Sequence, residues 1–319
     1  MLPESIHVGN SHSSEKMTAP TVCPLCGSSA LHLEHSFAVD WIVDKWTRQL
    51  GMDVSKEFHG MSRFDLLGCE SCTLRFFRPD SVAGSPELYE KLGKFEWYYM
   101  KRKWEHDIAL EDLSTCKNGI EVGCGFGDFV ARVAKEKAIP FEGCEQNPSA
   151  VQIARANGVA VHLEDLEDLA NSRRSAYDAV CSFQVLEHVT RPGDFVAASC
   201  SLLRPGGKLM LGLPNAASFL RHQHSILDMP PHHMSRWTAK VLERLQEWFP
   251  LRLMRVAYEP LADYHVEGYV EAYTRLFGDR GLRIMMAPAV RSRIIRLIRK
   301  SGLQKRLRGH SIYACYLRT

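Results

Sequence analysis

From Asn118 onward, short apolar runs alternate with stretches whose apolar positions recur every three or four residues. Gly119-Ile120-Glu121-Val122 has the length of a strand. Asp128 to Lys137 follows it and places Phe129, Val130 and Val133 on one helical face. Pro140 to Cys144 is a second strand, and Pro148 opens a second helix from a first-turn position. Val159 to Leu163 alternates as a third strand. Tyr177 to Phe183 is apolar enough for a strand buried on both faces. Pro192 to Leu203 reads as a helix that ends at the turn Arg204-Pro205-Gly206-Gly207, and Lys208 to Leu213 is a fifth strand. Strands separated by helices in this way require right-handed crossovers, and so predict a doubly wound, mostly parallel α/β sheet. Leu251 to Tyr258 and His310 to Leu317 bring the strands to seven, with the last expected antiparallel at the sheet edge.

The flanking texture is different. Residues 1–20 are polar and aperiodic and are expected to form a disordered tail. A small module is expected over 21–80, where two Cys-x-x-Cys pairs lie among aromatics and turn residues, and a helical connector over 81–117. Within the sheet domain, 118–319, the His- and Pro-rich segment 216–235 reads as a lid loop and 259–308 as a helical insertion. Trp237 to Trp248 should be a helix. Lys and Arg number 40 against 37 Asp and Glu, a net charge of +3. That balance argues against a dedicated nucleic-acid binder. No apolar run reaches the roughly 18–20 residues of a membrane helix, and the first residues lack a signal peptide's pattern. Ten cysteines in 319 residues do not suit a secreted disulfide framework, so a cytoplasmic protein with reduced thiols is expected.

The run Glu121-Val-Gly123-Cys-Gly125-Phe-Gly127 joins the first strand to the first helix. Glycines there let a ligand approach the backbone closely. The spacing is not the dinucleotide fingerprint, since the third Gly comes two residues after the second rather than three. Glu145 ends the second strand, where a carboxylate can chelate ribose hydroxyls, and Asp165 follows the third, where it can accept from an adenine amino group. Glu121 can pair with a cofactor's ammonium. Taken together, GIEVGCGFGDF, GCEQNPSAV, HLEDLEDL, YDAVCSFQVLEHV and LRPGGKLMLGLPN resemble the successive motifs of class I S-adenosylmethionine-dependent methyltransferases, over roughly Asn118 to Asn215. The resemblance implies a Rossmann-like sheet. It also implies that Glu121, Gly123, Gly125 and Gly127 hold the methionine part, that Glu145 holds the ribose, and that Gln146, Asp165 and Leu166 surround adenine. Gln184 would stand at the mouth of the site.

Cys23-Pro-Leu-Cys26-Gly and Cys69-Glu-Ser-Cys72 have the spacing of zinc knuckles. Four thiolates would close a tetrahedral ion and leave no open position, so the zinc would be structural. The long gap between the pairs implies a zinc-ribbon-like module with a helical insertion near Phe37 to Leu50. Cys116, Cys124, Cys144, Cys181, Cys200 and Cys315 are scattered and read as small core residues. This domain order, with Pro230-Pro231-His232-His233 and Trp237, is similar to bacterial methyltransferases of sugar, polysaccharide and natural-product pathways, including zinc-containing sugar C-methyltransferases. The resemblance implies a small-molecule acceptor, a sugar or sugar-containing intermediate, methylated on oxygen or carbon.

Methyl transfer is an in-line displacement that depends first on orientation, and a base is needed only where the acceptor carries a proton. His232, His233 and His188 all follow strand carboxyl ends and are the candidate bases, with His222, His224 and His265 behind them. Each has an alternative reading as a turn or cofactor-side residue. Trp97, Tyr98, Tyr99 and Trp104 either roof the site or pack two domains together. Residues 291–308 are basic with Ile294, Ile295, Leu297 and Ile298 between the charges. They form either a helix packed on the core or one lying on an anionic membrane surface. Two rival functions remain at this point. One is methylation of RNA or protein docked by the zinc module, and the other is a scaffold that holds the cofactor without transfer.

Overall fold

Tyr177–Phe183 is buried at all of its positions because it runs through the middle of a seven-stranded sheet. The computed structural model describes residues 22–222, 225–279, 284 and 287–319, so the expected tail 1–20 and His224 lie outside the described residues. In chain order the elements are β1 (Leu31–Ala38), α1 (Val39–Leu50), β2 (Arg63–Cys69), β3 (Arg75–Arg78), α2 (Pro86–Leu92), α3 (Trp104–Asp112) and β4 (Gly119–Val122). They continue with α4 (Asp128–Lys137), β5 (Phe141–Cys144), α5 (Pro148–Ala156), β6 (Val161–His162), α6 (Leu166–Ser172), β7 (Tyr177–Phe183), α7 (Pro192–Leu202) and β8 (Leu203–Pro214). The chain ends with β9 (Ser235–Arg236), α8 (Ala239–Arg244), β10 (Leu251–Pro260), α9 (Val266–Asp279), α10 (Pro288–Ser301) and β11 (Arg308–Arg318).

The large sheet has the order β10-β11-β8-β7-β4-β5-β6. Strands β4 to β8 pair in parallel, and β11 runs antiparallel to both β8 and β10. The winding order reverses at β4, with β5 and β6 added on one side and β7 and β8 on the other, which opens a crevice at the carboxyl ends of the strands. One expectation is corrected here. β11 is not an edge strand: it lies inside the sheet, with Ile312, Tyr313, Ala314 and Tyr316 wholly buried, and β10 takes the edge. The third strand is also shorter than the alternation suggested, reduced to Val161 and His162. The connector is helical only in α2 and α3, with irregular chain between them.

The amino-terminal residues make a second sheet of order β1-β2-β3-β9. Its last strand comes from Ser235–Arg236, more than 150 residues downstream, paired with Phe76 and Arg75. The segment 216–235, expected as a lid, is therefore no free flap. Ile226, Met229 and Met234 are buried with Trp46, Phe64 and Phe77 of the amino-terminal module, because these apolar side chains complete that module's core. The amino-terminal module also shares a core with the large sheet, where Cys23, Leu25, Leu74 and Phe76 pack with Trp237, Val241 and Tyr316. The basic helix α10 buries Ile298 against the α9 layer and leaves Leu297 exposed. Among the described residues no helix is long and apolar enough to cross a membrane.

Gly193, in the first turn of α7, shows how closely the two parts are fitted. Its amide donates to the Pro24 carbonyl at 3.0 Å, and a Cβ there would lie 2.8 Å from the Leu25 carbonyl oxygen. Backbone cannot yield as a side-chain tip does. Gly193→Ala should therefore cost about 1–3 kcal/mol of stability, the usual range for overpacking. Thermal denaturation should show the loss, and an unchanged melting temperature would mean that the two parts are not locked together at this point.

Candidate functional site

The glycines after β4 have φ angles of 75° at Gly123, 53° at Gly125 and 78° at Gly127, which side chains rarely adopt. A Cβ on Gly123 would collide with Val185. The backbone so shaped forms one wall of a cavity of about 1670 Å³ at the carboxyl ends of the strands. That volume exceeds an ordinary single-ligand pocket of roughly 300–1,000 Å³ and suits a cofactor together with an acceptor. Gly123, Gly125, Glu121, Glu145, Gln146, Asp165, Leu166 and Gln184 all line it, as do His188, His232 and His233. Gly127 does not. It is the residue before α4, packed against Val159, and it shapes the turn from behind.

Glu145 directly follows β5 and is held by three amides. Oε2 accepts from Gly125 at 2.9 Å, and Oε1 accepts from Gln146 and Asn147 at 2.8 Å each. The bonds fix the carboxylate while leaving lone pairs directed into the cavity. Asn147 in turn caps α5, accepting from Ser149 at 3.0 Å and Ala150 at 3.4 Å. The Gln146 side-chain amide donates to Asp165 Oδ1 at 2.6 Å, so these two residues from β5 and β6 meet at one edge. Glu121 is 4% exposed, and its Oε2 has no hydrogen-bond partner among the described residues. Burial pushes its carboxyl well above the usual range, while the nearby Lys103 ammonium pulls the other way. An unpaired buried carboxylate beside a glycine cradle fits a cationic ligand group such as an α-ammonium.

At the other end of the cavity the three histidines form a single cluster. Ring centroids are 4.5 Å apart for His188–His232, 4.8 Å for His188–His233 and 4.5 Å for His232–His233. His188 Nδ1 donates to the His232 carbonyl at 2.7 Å, and His232 Nδ1 donates to the Leu227 carbonyl at 2.9 Å. The Tyr98 hydroxyl lies 3.2 Å from His232 Nε2, and the Tyr89 hydroxyl donates to the His232 carbonyl at 3.2 Å. Burial lowers all three imidazoles, His232 to about 3, so the cluster is neutral at pH 7. Glu187 beside them is 1% exposed, and burial raises its carboxyl to about 8. Sequence reasoning singled out the histidines but passed over Glu187, Tyr89 and Asp228. Glu187 stood in view next to His188, and its importance lies in burial, which a sequence does not display. His265 also lines the cavity, whereas His222 stands outside it, against Tyr273. Tyr98 and Tyr99 are wall residues, with the Tyr99 ring 4.4 Å from that of Phe126.

The four paired cysteines converge away from this cavity. Sγ atoms are 3.4 Å apart for Cys23–Cys72 and 3.7 Å for Cys26–Cys69, and the four lie within 4.8 Å of one another. A tetrahedral ion with metal–sulfur bonds of about 2.3 Å sets sulfurs roughly 3.8 Å apart, so the set fits one. Amides of Cys72 and Leu74 point at Cys69 and Cys72 sulfurs at 3.4 and 3.5 Å, the arrangement a thiolate favours. The six remaining cysteines are buried and unpaired, as their placement in strands and turns suggested.

A protein-family model described as a methyltransferase domain matches residues 97–256, half of the chain. The chain belongs to this family and carries an S-adenosylmethionine-dependent methyltransferase domain. Among curated proteins it is 30% identical over 125 residues to the ubiquinone biosynthesis O-methyltransferase of Alkalilimnicola ehrlichii, covering 34% of this chain and 50% of that protein. It is 36% identical over 102 residues to the protein of the same name from Xanthomonas axonopodis pv. citri, covering 30% of this chain and 42% of that one. The chain thus spans half or less of the length of these curated relatives. An S-adenosylmethionine-dependent methyltransferase from Archaeoglobus fulgidus is 16% identical with a TM-score of 0.45, over 73% of this chain and 98% of that one.

The cradle generates a direct test. Glu145→Ala removes the carboxylate fixed beside the glycine turn, and hydrogen bonds to a charged group are typically worth about 1.5–3 kcal/mol. Calorimetry with S-adenosylhomocysteine should show affinity weakened by one to two orders of magnitude. Unchanged affinity would remove Glu145 from the cofactor site.

Proposed function

We propose that the protein transfers the methyl group of S-adenosylmethionine to a small-molecule acceptor, a sugar or sugar-containing intermediate, at a hydroxyl oxygen or an acidic carbon. The observation that carries this reading is the continuous cavity from the Gly125–Glu145 cradle to the cluster of His188, His232 and His233. When bound, the cofactor supplies an electrophilic methyl group on a sulfonium. In this reading Glu121 pairs with its ammonium, Gly123 and Gly125 leave room for its methionine part, Glu145 holds its ribose, and Gln146, Asp165 and Leu166 border its adenine. Gln184 is fixed at the mouth, with its amide nitrogen donating to Glu105 at 2.9 Å. The acceptor lies against the histidines, which deal with its proton, His232 and His233 foremost. The Tyr89 and Tyr98 hydroxyls hold His232 in place at that end.

The four cysteines hold a structural zinc in the amino-terminal module, 21–80. Cys23, Cys69 and Cys72 are buried against the sheet domain rather than presented to solvent, which favours a positioning role over docking of RNA or protein. The near balance of charge points the same way. The curated relatives' names refer to a small-molecule pathway, which supports the choice of acceptor class. Incubation with labelled cofactor and fractionated small metabolites, with RNA in parallel, tests the reading. Label appearing only in RNA or protein would overturn it.

Two predictions follow from these assignments. His232→Ala and His233→Ala should each lower turnover by about 10²–10⁴-fold, the usual weight of proton handling, with cofactor affinity nearly unchanged. Normal turnover in both variants would make the pair structural. Metal analysis should find zinc bound by Cys23, Cys26, Cys69 and Cys72, and Cys72→Ser should release it and lower the melting temperature of the amino-terminal module. A metal-free preparation with the full melting profile would contradict that assignment.

A further inference from the structure

We propose that the Nε2 atoms of His188, His232 and His233, together with the carboxylate of Glu187, form a second metal site, for one divalent cation of the zinc or cobalt type. A general base requires one imidazole. The structure instead brings three together, with one ring nitrogen from each lying within 4.8 Å of the others.

Orientation is the first support. His188 and His232 spend their Nδ1 protons on the carbonyls of His232 and Leu227, and His233 Nδ1 faces Asp228 Oδ1 at 3.4 Å. Carbonyls only accept, so the Nε2 of the first two rings carries a lone pair. The Asp228 carboxylate imposes the same tautomer on His233. Imidazoles that ligate metals are held in this way, by a carbonyl or carboxylate on the opposite nitrogen. Tyr98 is the one hydroxyl that would have to turn away, since it sits 3.2 Å from His232 Nε2.

The second support is Glu187. Neither of its carboxylate oxygens has a hydrogen-bond partner among the described residues, although the side chain is 1% exposed. Oε1 lies 3.8 Å from His188 Nε2 and 3.9 Å from His233 Nε2, too far for good hydrogen bonds and close enough to share a cation. A buried carboxyl whose oxygens are both unpaired is costly in either protonation state. A divalent ion would satisfy the carboxylate and the three lone pairs at once. Ligand atoms at about 2.1 Å from an ion stand roughly 3–3.4 Å apart, so the three rings, whose ligand nitrogens lie within 4.8 Å of one another, close around it by moving inward about 1 Å, with Glu187 turning in beside His188 and His233. Three imidazoles and a carboxylate suit cations of intermediate softness better than magnesium or calcium.

The existence of the site does not depend on the methyl-transfer reading, but its consequence rests on it. Three imidazoles and a carboxylate fill a tetrahedral ion, so the acceptor's oxygen would enter in place of Glu187 or as a fifth ligand, and its hydroxyl would there be acidified.

The full-length chain, loaded with zinc at the cysteine cluster, is titrated with Co²⁺ by calorimetry and analysed for metal after desalting. One further equivalent should bind with a dissociation constant in the micromolar range or tighter, and X-ray absorption should show nitrogen and oxygen neighbours without sulfur. His188→Gln and, separately, Glu187→Gln should weaken that equivalent at least tenfold and leave the sulfur-bound zinc in place. The wild-type stoichiometry is decisive even if a variant folds poorly. No second equivalent at millimolar Co²⁺, or one that survives both substitutions, overturns the proposal. Second-site binding without transfer of labelled methyl to any acceptor would keep the metal site and remove the function. Transfer that the histidine variants abolish, in a chain with no second equivalent, would leave a plain base.

Discussion

The stretch from Met229 to Trp237 is tied on both sides, and the rest of the site depends on it. The amides of Met234 and Ser235 donate to the Glu187 carbonyl, at 2.7 and 3.1 Å, and the Met234 carbonyl accepts from Phe77 at 2.9 Å. The Pro231 carbonyl accepts from Gly84 at 2.7 Å, and Ala216 donates to Trp237 at 2.7 Å. One short segment is thereby joined to the loop after β7, to the amino-terminal sheet and to the end of β8. Buried backbone groups without such partners would be costly, so the segment holds its place only while both sheets are present. Its two histidines owe their burial and their tautomers to that arrangement.

The cavity that results has two differently prepared ends. Around the glycine turn, amides of Gly125, Gln146 and Asn147 fix one carboxylate, and Glu121 stays unpaired in a buried position. Around the histidines, burial keeps the imidazoles neutral and leaves Glu187 without a partner. Both ends hold a buried carboxyl with an unpaired oxygen, an unfavourable arrangement that a suitable ligand group would relieve. Tyr89, Trp97, Tyr98 and Tyr99 of the connector line this cavity, so the connector shapes its wall as well as packing the two parts together.

Local patterns in the chain were a good guide wherever one strand or helix carries its own signature. Asp128–Lys137 and Tyr177–Phe183 stand where periodicity and apolar content placed them, and Gly123, Gly125, Glu145 and Asp165, far apart in the chain, line one cavity. Features that depend on distant pairing were not legible. The two residues of β9 complete a sheet begun near Leu31, and no period or propensity marks so short a strand. β11 reads as an edge strand because it comes last, yet it is inserted between β8 and β10. The segment 216–235 looked like a lid because its apolar residues are scattered, although they fill the amino-terminal core. Glu187 needed its burial to be noticed.

If the segment Met229 to Trp237 couples the cysteine cluster to the histidine end of the cavity, removing a metal bound at the cysteines should loosen residues far from them. Amide hydrogen exchange, measured with and without a zinc chelator, tests this most directly. The account predicts faster exchange at the amides of His232 to Ser235 together with those of the Cys23–Cys72 region, while β4 and β7 remain protected. Unchanged protection at His232 to Ser235 in a chain whose cysteine module has opened would contradict it.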